Sequence, residues 1–136
     1  MLVELDHHIP LSITTNGTLY TPLVEQTLER FPCSLLLSID ALDPDVLRRI
    51  RVGVDPEKVL ENAARLHDYT VARGTGFGFM YCLMTSNWEE MPAMLKLADE
   101  WDATIQVVHV SVPGMSLEEL SVDELASIAS GLGSDV

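Results

Sequence analysis

The stretch LLLSIDALDPDVLRRIRVG, residues 35–53, passes from an unbroken apolar run into a Ser-x-Asp pair and then into a short helix. Its leucines follow one another without polar alternation, as expected of a strand that is covered on both faces in a parallel sheet. Asp43 followed by Pro44 is a helix start, with Asp as the N-cap and Pro at the first helical position. The stretch therefore predicts a strand, a corner and a helix that ends near Arg51.

The same order of strand and helix recurs along the chain. Apolar and β-branched runs predict four strands, over residues 11–15, 33–39, 77–84 and 103–110. Periodicity and capping signals predict helices over residues 20–31, 44–51, 56–73, 88–101 and 122–132. Strands that alternate with helices form a parallel sheet with the helices packed outside it, and all strand carboxyl ends then meet at one edge. We expect a single α/β domain over residues 1–136.

Local signals refine the ends of these elements. Asn87 is the predicted N-cap of the fourth helical segment, and Ser121 with Glu124 three residues later forms a capping box for the last helix. Gly76 and Gly78 predict a close approach of another part of the chain where the third strand begins.

Composition limits the classes of partner. The 136 residues carry a formal net charge of −13, and 47% of them are hydrophobic with a mean hydropathy of +0.19. An acidic chain repels phosphate backbones and anionic lipids, so we expect neither nucleic acid nor membrane as a partner. No apolar run is long enough to span a bilayer and no signal peptide is visible, so a cytoplasmic location is expected.

The cysteines and histidines do not predict a metal site. Cys33 and Cys82 lie far apart without a CxxC spacing, which favours two buried thiols in a reducing compartment. His7 and His8 have no partner at metal-ligand spacing and are expected on the solvated surface.

Three motifs that follow successive strands resemble a known family. They are ITTNGT at 13–18, SIDALDPDVLRRIRVG at 38–53 and MTSNWEEMPAMLKLADEW at 84–101. In this order they resemble the later half of the radical S-adenosylmethionine (radical SAM) domain. The resemblance implies a fragment of a partial TIM-type (β/α)6 barrel that contains approximately its third to sixth strands.

The sequence departs from the family at the cluster. That family binds a [4Fe–4S] cluster with a CxxxCxxC loop after its first barrel strand, which leaves one iron open for S-adenosylmethionine. These 136 residues contain no such loop, and the glycine-rich turn after the second barrel strand is also missing. The resemblance implies S-adenosylmethionine as cofactor and a cluster in the complete domain that this chain does not bind alone.

The principal candidate site residues lie in the opening stretch. Ser38 and Asp40 alternate along the strand toward the barrel interior, where the resemblance implies that they contact the cofactor. The structural alternative is that Ser38 satisfies a backbone group and Asp40 caps the turn. We expect the short helix to bring Arg51 back to the same edge, where the resemblance implies that its guanidinium binds the cofactor carboxylate. The structural alternative for Arg51 is pairing with neighbouring aspartates at a helix end. We prefer this interpretation for Arg48 and Arg49.

Two further side chains are weaker candidates. Asn16 follows the first strand and is expected to face substrate, although Asn-Gly forms turns in any fold. His109 ends the fourth strand and is a second substrate-facing candidate, whereas a lone histidine on an apolar strand is commonly a core residue.

Two classes of function are compatible with these observations. In the first, the chain is part of a radical SAM enzyme, whose complete form generates a 5′-deoxyadenosyl radical, and it is inactive without the cluster. In the second, it is a non-catalytic α/β binding or assembly module that self-associates through open sheet edges. The expected partner is accordingly a second copy of the chain or a missing N-terminal half-barrel.

Overall fold

The computed structural model describes residues 11–134, so the predictions for His7 and His8 lie outside the described residues. Four parallel strands lie side by side in chain order: β1 (Leu11–Thr15), β2 (Cys33–Ser38), β3 (Phe77–Leu83) and β4 (Thr104–His109). All four were predicted to within two residues at each end. The α/β class and the parallel sheet are thus confirmed.

The described residues contain five helices, of which two follow β2 and one follows each of the other strands. They are α1 (Pro22–Arg30), α2 (Pro44–Ile50), α3 (Pro56–Arg73), α4 (Met91–Glu100) and α5 (Val122–Ser134). Short 3₁₀ turns at Trp88–Glu90 and Leu117–Glu119 precede α4 and α5. None of the helices within residues 11–134 combines the length and the apolar character that crossing a membrane requires.

Capping residues begin three of these helices as predicted. The Asp43 carboxylate accepts the first free N–H groups of α2, and Asp55 accepts the N–H of Lys58 in α3. Glu124 returns its carboxylate to the N–H of Ser121 at 2.8 Å, which completes the capping box of α5. Each cap supplies an acceptor for N–H groups that have no partner within the helix.

The first helix is shorter and less buried than predicted. It begins at Pro22 with Thr21 as the N-cap, since proline fixes the backbone of the first helical turn. The large apolar side chains of Leu19 and Leu23 are 70% and 72% exposed. Leu28 is the buried residue of this helix within the part of the chain that the structure describes.

The core lies between the sheet and the helices. Alternate residues of the two central strands point into it, namely Cys33, Leu35, Leu37, Phe77, Phe79 and Tyr81, together with residues of α3 and α4. Trp101, after α4, packs its ring against Phe77 and Phe79 at centroid distances of 5.8 and 5.7 Å. This layer accounts for the apolar character of the central strands.

The opposite face of the sheet is open. Ser34, Leu36 and Ser38 alternate with the buried residues of β2 and are half-buried, so the prediction that this strand is covered on both faces is wrong. The edge strand β4 is also more exposed than its apolar sequence predicts, with five of six residues exposed. Within the described residues the helices form a layer on one side of the sheet, and nothing comparable covers the other.

Gly78 on the open face is required by close packing, as predicted. A Cβ at Gly78 would overlap the Thr104 hydroxyl and lie 3.2 Å from the Thr104 carbonyl oxygen. Gly133 is its matched control, because a Cβ there would meet nothing within 4 Å.

We expect Gly78→Ala to lower the free energy of unfolding by about 1–3 kcal/mol, because the added methyl group must displace Thr104. Gly133→Ala should leave it unchanged or raise it by up to about 1 kcal/mol, since alanine favours a helix. Urea denaturation of both variants measures the difference. Equal stability of Gly78→Ala and the wild type would contradict the packing described here.

Candidate functional site

The carboxyl edge of β2 brings together the three principal candidates. Ser38 is the last residue of β2, and Asp40 follows two positions later. Arg51 is the C-cap of α2, and its N–H donates to the Leu47 carbonyl oxygen at 2.8 Å. Arg51 directly follows the seven-residue helix α2, and its side chain reaches back to the end of the strand that precedes this helix.

Arg51 binds both of the other candidates. Its Nε donates to Asp40 Oδ2 at 2.7 Å, and its Nη2 donates to Ser38 Oγ at 2.8 Å. The side chain of Asp40 is 7% exposed and that of Arg51 is 20% exposed, so this is a largely desolvated ion pair. We call these three residues the Asp40 cluster.

The second carboxylate oxygen of Asp40 connects β2 to β3. Asp40 Oδ1 accepts the backbone N–H of Cys82 at 3.1 Å. Burial raises the pKa of the Cys82 thiol, and the neighbouring Asp40 carboxylate acts in the same direction. The thiol therefore stays protonated at neutral pH, and it is a poor nucleophile in this environment.

Asn87 occupies the N-cap position of the 3₁₀ turn before α4, as predicted, but its side chain makes no capping hydrogen bond there. Its side chain is buried at 2% exposure and donates from Nδ2 to the backbone oxygens of Asp40, at 2.8 Å, and Cys82, at 2.9 Å. Its Oδ1 accepts the N–H of Met84 at 2.8 Å, and its carbonyl oxygen accepts the Tyr81 hydroxyl at 2.6 Å. Tertiary hydrogen bonds across two strand ends have replaced the local capping bond.

Glu90 is a residue of this site that sequence reasoning missed. It lies three positions after Asn87, and its Oε2 accepts the N–H groups of Leu42 at 3.0 Å and Asp43 at 2.9 Å. The available signal was the pair of polar residues spaced N-x-x-E directly after an apolar strand. Glu90 thus connects the beginning of α4 to the loop after β2.

The weaker candidates are not part of the Asp40 cluster. Asn16 Oδ1 accepts the N–H of Thr18 at 3.1 Å and its hydroxyl at 2.8 Å, which are turn interactions. His109 is paired in register with Leu83, so it lies on the helix side of the sheet. There its Nε2 lies 3.6 Å from Glu118 Oε1.

Arg48 fits the pairing that the sequence favoured, whereas Arg49 is a cation in the last turn of α2 without an ion pair among the described residues. Arg48 donates to Asp45 at 2.6 Å and to Glu57 at 3.1 Å on an exposed surface, and Arg49 is exposed. The arginines of residues 35–53 therefore lie in two environments. Arg48 and Arg49 are on the exposed surface, whereas Arg51 makes a largely desolvated contact with Asp40.

A comparison with protein families identifies the chain. The family model described as Radical SAM superfamily matches residues 1–98. The chain belongs to the radical SAM superfamily. No curated protein sequence matches it.

Solved structures share the fold of this radical SAM chain. SuiB from Streptococcus suis superposes with a TM-score of 0.60 at 16% identity, over 90% of this chain and 29% of SuiB. Native anSMEcpe with bound AdoMet superposes with a TM-score of 0.56 at 20% identity, over 78% of this chain and 31% of anSMEcpe. A radical SAM methyltransferase from Sphaerobacter thermophilus superposes with a TM-score of 0.52 at 18% identity, over 91% of this chain and 37% of the methyltransferase. The chain spans about a third of the length of these structures.

The family and these structures together confirm the predicted architecture. The radical SAM fold is a TIM-type barrel, and the four parallel strands with outer helices form part of it. The half-buried face of β2 is then the inner face of the barrel wall, and the Asp40 cluster lies at its carboxyl edge. Parallel barrels bind ligands at this edge.

The residues of this chain do not fit an iron–sulfur cluster. Cys33 is buried among core residues on the helix side of β2, whereas Cys82 lies on the opposite face, and both are free thiols. Within residues 11–134 no three His, Cys, Asp or Glu side chains are placed to hold a metal ion. Three thiolates cannot come from these two positions.

Cys82 offers a chemical probe of the Asp40 carboxylate. We expect Asp40→Asn to lower the pKa of the Cys82 thiol, because a negative charge beside it is lost while Arg51 remains. Alkylation of Cys82 by iodoacetamide at pH 8, followed by mass spectrometry, should then become several-fold faster.

Two internal controls accompany this measurement. Cys33 is 1% exposed and should stay unmodified, so its reaction would report unfolding instead of a changed pKa. Asp45→Asn removes an exposed carboxylate that pairs with Arg48 and should leave the Cys82 rate unchanged. An unchanged Cys82 rate in folded Asp40→Asn would contradict the electrostatic coupling.

Proposed function

We propose that the chain forms the wall of a radical SAM enzyme that faces S-adenosylmethionine and substrate, with Ser38, Asp40 and Arg51 as the cofactor contacts. The Asp40 cluster is the observation that carries this proposal. It places a desolvated carboxylate, a guanidinium and a hydroxyl at the barrel edge where ligands bind. One solved structure of similar fold contains bound AdoMet, which supports the same assignment.

The chemistry of these groups fits the two polar ends of the cofactor. The Asp40 carboxylate can accept a hydrogen bond from a ribose hydroxyl, and the Ser38 hydroxyl can donate or accept one. Among the described residues the guanidinium of Arg51 contacts its partners through Nε and Nη2, which leaves Nη1 and the second Nη2 hydrogen for the methionine carboxylate. When bound in the complete enzyme, the cofactor supplies the radical that abstracts a substrate hydrogen.

We further propose that the chain alone is catalytically inactive and works with a missing N-terminal half-barrel. The two cysteines of this chain do not fit the cluster, so the cysteines that bind it must lie elsewhere. Asn16 is kept as a proposed substrate-facing residue at the same edge, whereas the position of His109 on the helix side of the sheet does not support that role. Two free cysteines also fit a reducing compartment, and we propose the cytoplasm.

Binding of S-adenosylmethionine, measured by calorimetry, tests the cofactor contacts. Arg51→Lys should raise Kd by about 10-fold to 100-fold, because lysine cannot reproduce a forked contact with a carboxylate. Arg48→Lys, on the exposed surface of the same helix, is the control and should keep the wild-type Kd.

A second pair of variants tests the hydroxyl. Ser38→Ala should weaken binding about tenfold or less, because one neutral hydrogen bond is lost. Ser34→Ala is its control, since Ser34 lies on the same face of β2 but four residues from the edge and accepts the Gly76 N–H. Absence of binding to the wild type, or equal losses in both members of either pair, would overturn the proposal.

Self-association is the second candidate function, and the exposed sheet edge favours it. Val107 and Val108 on β4 are 50% and 37% exposed, and within residues 11–134 β4 has a neighbouring strand on one side only. An unpaired apolar strand is a template for pairing with another chain. On this proposal the chain assembles with a second copy without catalytic activity of its own.

Size-exclusion chromatography with light scattering distinguishes this candidate. We expect the fraction of dimer to rise with protein concentration and Val107→Lys to reduce it, because a charged edge disfavours strand pairing. Val112→Lys is the control, since Val112 is similarly exposed but follows the strand in a loop. A monomer at every concentration would exclude self-association.

A further inference from the structure

We propose that Asn87 and Glu90 are positioning residues that hold the Asp40 carboxylate in the orientation in which it meets the cofactor. This inference rests on the proposed function, which assigns Asp40 to the cofactor. Neither residue belongs to β2 or α2, which carry the Asp40 cluster. Both act from the segment between β3 and α4, through hydrogen bonds to the loop after β2.

Glu90 fixes the start of α2. Its carboxylate accepts the N–H groups of Leu42 and Asp43, and Asp43 is the residue whose carboxylate caps α2. Two consecutive N–H groups bound by one carboxylate oxygen leave the loop little freedom to rotate. A helix of seven residues has little stability of its own, so its direction depends on contacts such as these.

The direction of α2 in turn places Arg51. Arg51 caps the other end of this helix, and its side chain reaches back to Asp40 Oδ2 and Ser38 Oγ. A shift of the helix start therefore moves the guanidinium away from Asp40. Glu90 reaches Asp40 through a continuous series of hydrogen bonds, without touching the carboxylate itself.

Asn87 fixes the backbone of Asp40 directly. Its Nδ2 donates to the Asp40 carbonyl oxygen, and the same amide group holds Cys82, whose N–H donates to Asp40 Oδ1. Asn87 therefore sets the distance between the Asp40 backbone and Cys82, whose N–H orients the Asp40 carboxylate. At 2% exposure Asn87 is sealed from solvent, so it is a positioning residue and not a ligand.

Nitrogen-15 NMR of the Arg51 Nε–H group, without any ligand, tests the positioning. In Glu90→Ala we expect hydrogen exchange of this group to be about tenfold faster. The reason is that the charged contact between Glu90 and the loop before α2 is lost, and with it the position of Arg51. Glu90→Gln should restore wild-type exchange, because its amide oxygen accepts the same N–H groups. Glu89→Ala removes an adjacent exposed glutamate and should behave as the wild type.

The same variants are then titrated with S-adenosylmethionine. We expect the Kd of Glu90→Ala to rise about tenfold and that of Glu90→Gln to stay near the wild-type value. If Asn87→Asp folds, it should show both faster exchange of the Arg51 Nε–H and weaker binding of S-adenosylmethionine, because a carboxylate oxygen would face the carbonyl oxygens of Asp40 and Cys82. If it does not fold, the glutamate series decides.

The outcomes separate this inference from the proposed function. Unchanged Arg51 exchange in Glu90→Ala, or loss of protection that Glu90→Gln fails to restore, overturns the positioning role. If the exchange results are as expected but the wild type binds no S-adenosylmethionine, the positioning of Asp40 stands and the proposed function fails. If the wild type binds and Glu90→Ala binds equally well, the positioning has no effect on the cofactor and the inference is overturned.

Discussion

The desolvated ion pair between Asp40 and Arg51 is the interaction on which the site depends. A carboxylate that is 7% exposed is costly unless its charge and lone pairs are satisfied. Arg51 satisfies one oxygen of Asp40, and the Cys82 N–H satisfies the other. The end of α2 and the end of β3 are therefore held at one carboxyl group, and the geometry of this corner follows from the need to compensate a buried charge.

Buried asparagines stabilise two successive loops at the carboxyl edge of the sheet in a similar way. Asn62 of α3 donates to the Gly17 carbonyl oxygen at 2.7 Å, and Asn87 after β3 donates to that of Asp40 at 2.8 Å. Each loop after a strand is thus bound by a side chain from a later strand-helix unit. Since these carbonyl groups lie where no strand partner continues, the asparagine amides replace the missing ladder bonds. The hydrogen bonds that order this edge thus come from the barrel wall itself.

The sequence predicted those parts of the structure whose causes are local. The strands of the sheet, the caps at Asp43 and Asp55 and the surface pairing of Arg48 follow from patterns of neighbouring residues. The role of Glu90 could not be predicted in this way, because its partners lie 47 and 48 positions away along the chain. The partners of the Asn87 side chain were missed for the same reason, since a local cap and a tertiary anchor require the same residue type.

The two interpretations of Arg51 that the sequence left open, cofactor binding and pairing with an aspartate, are compatible. The pairing of Arg51 with Asp40 is a structural interaction, yet the contacts within the described residues use only part of the hydrogen-bonding capacity of the guanidinium. A side chain already immobilised by one contact loses less conformational entropy when it binds a second group. Under the proposed function, the internal ion pair prepares Arg51 for the cofactor carboxylate instead of competing with it. The same hydrogen bonds that stabilise the corner would then lower the entropic cost of binding, which is why stability and cofactor recognition can depend on one cluster.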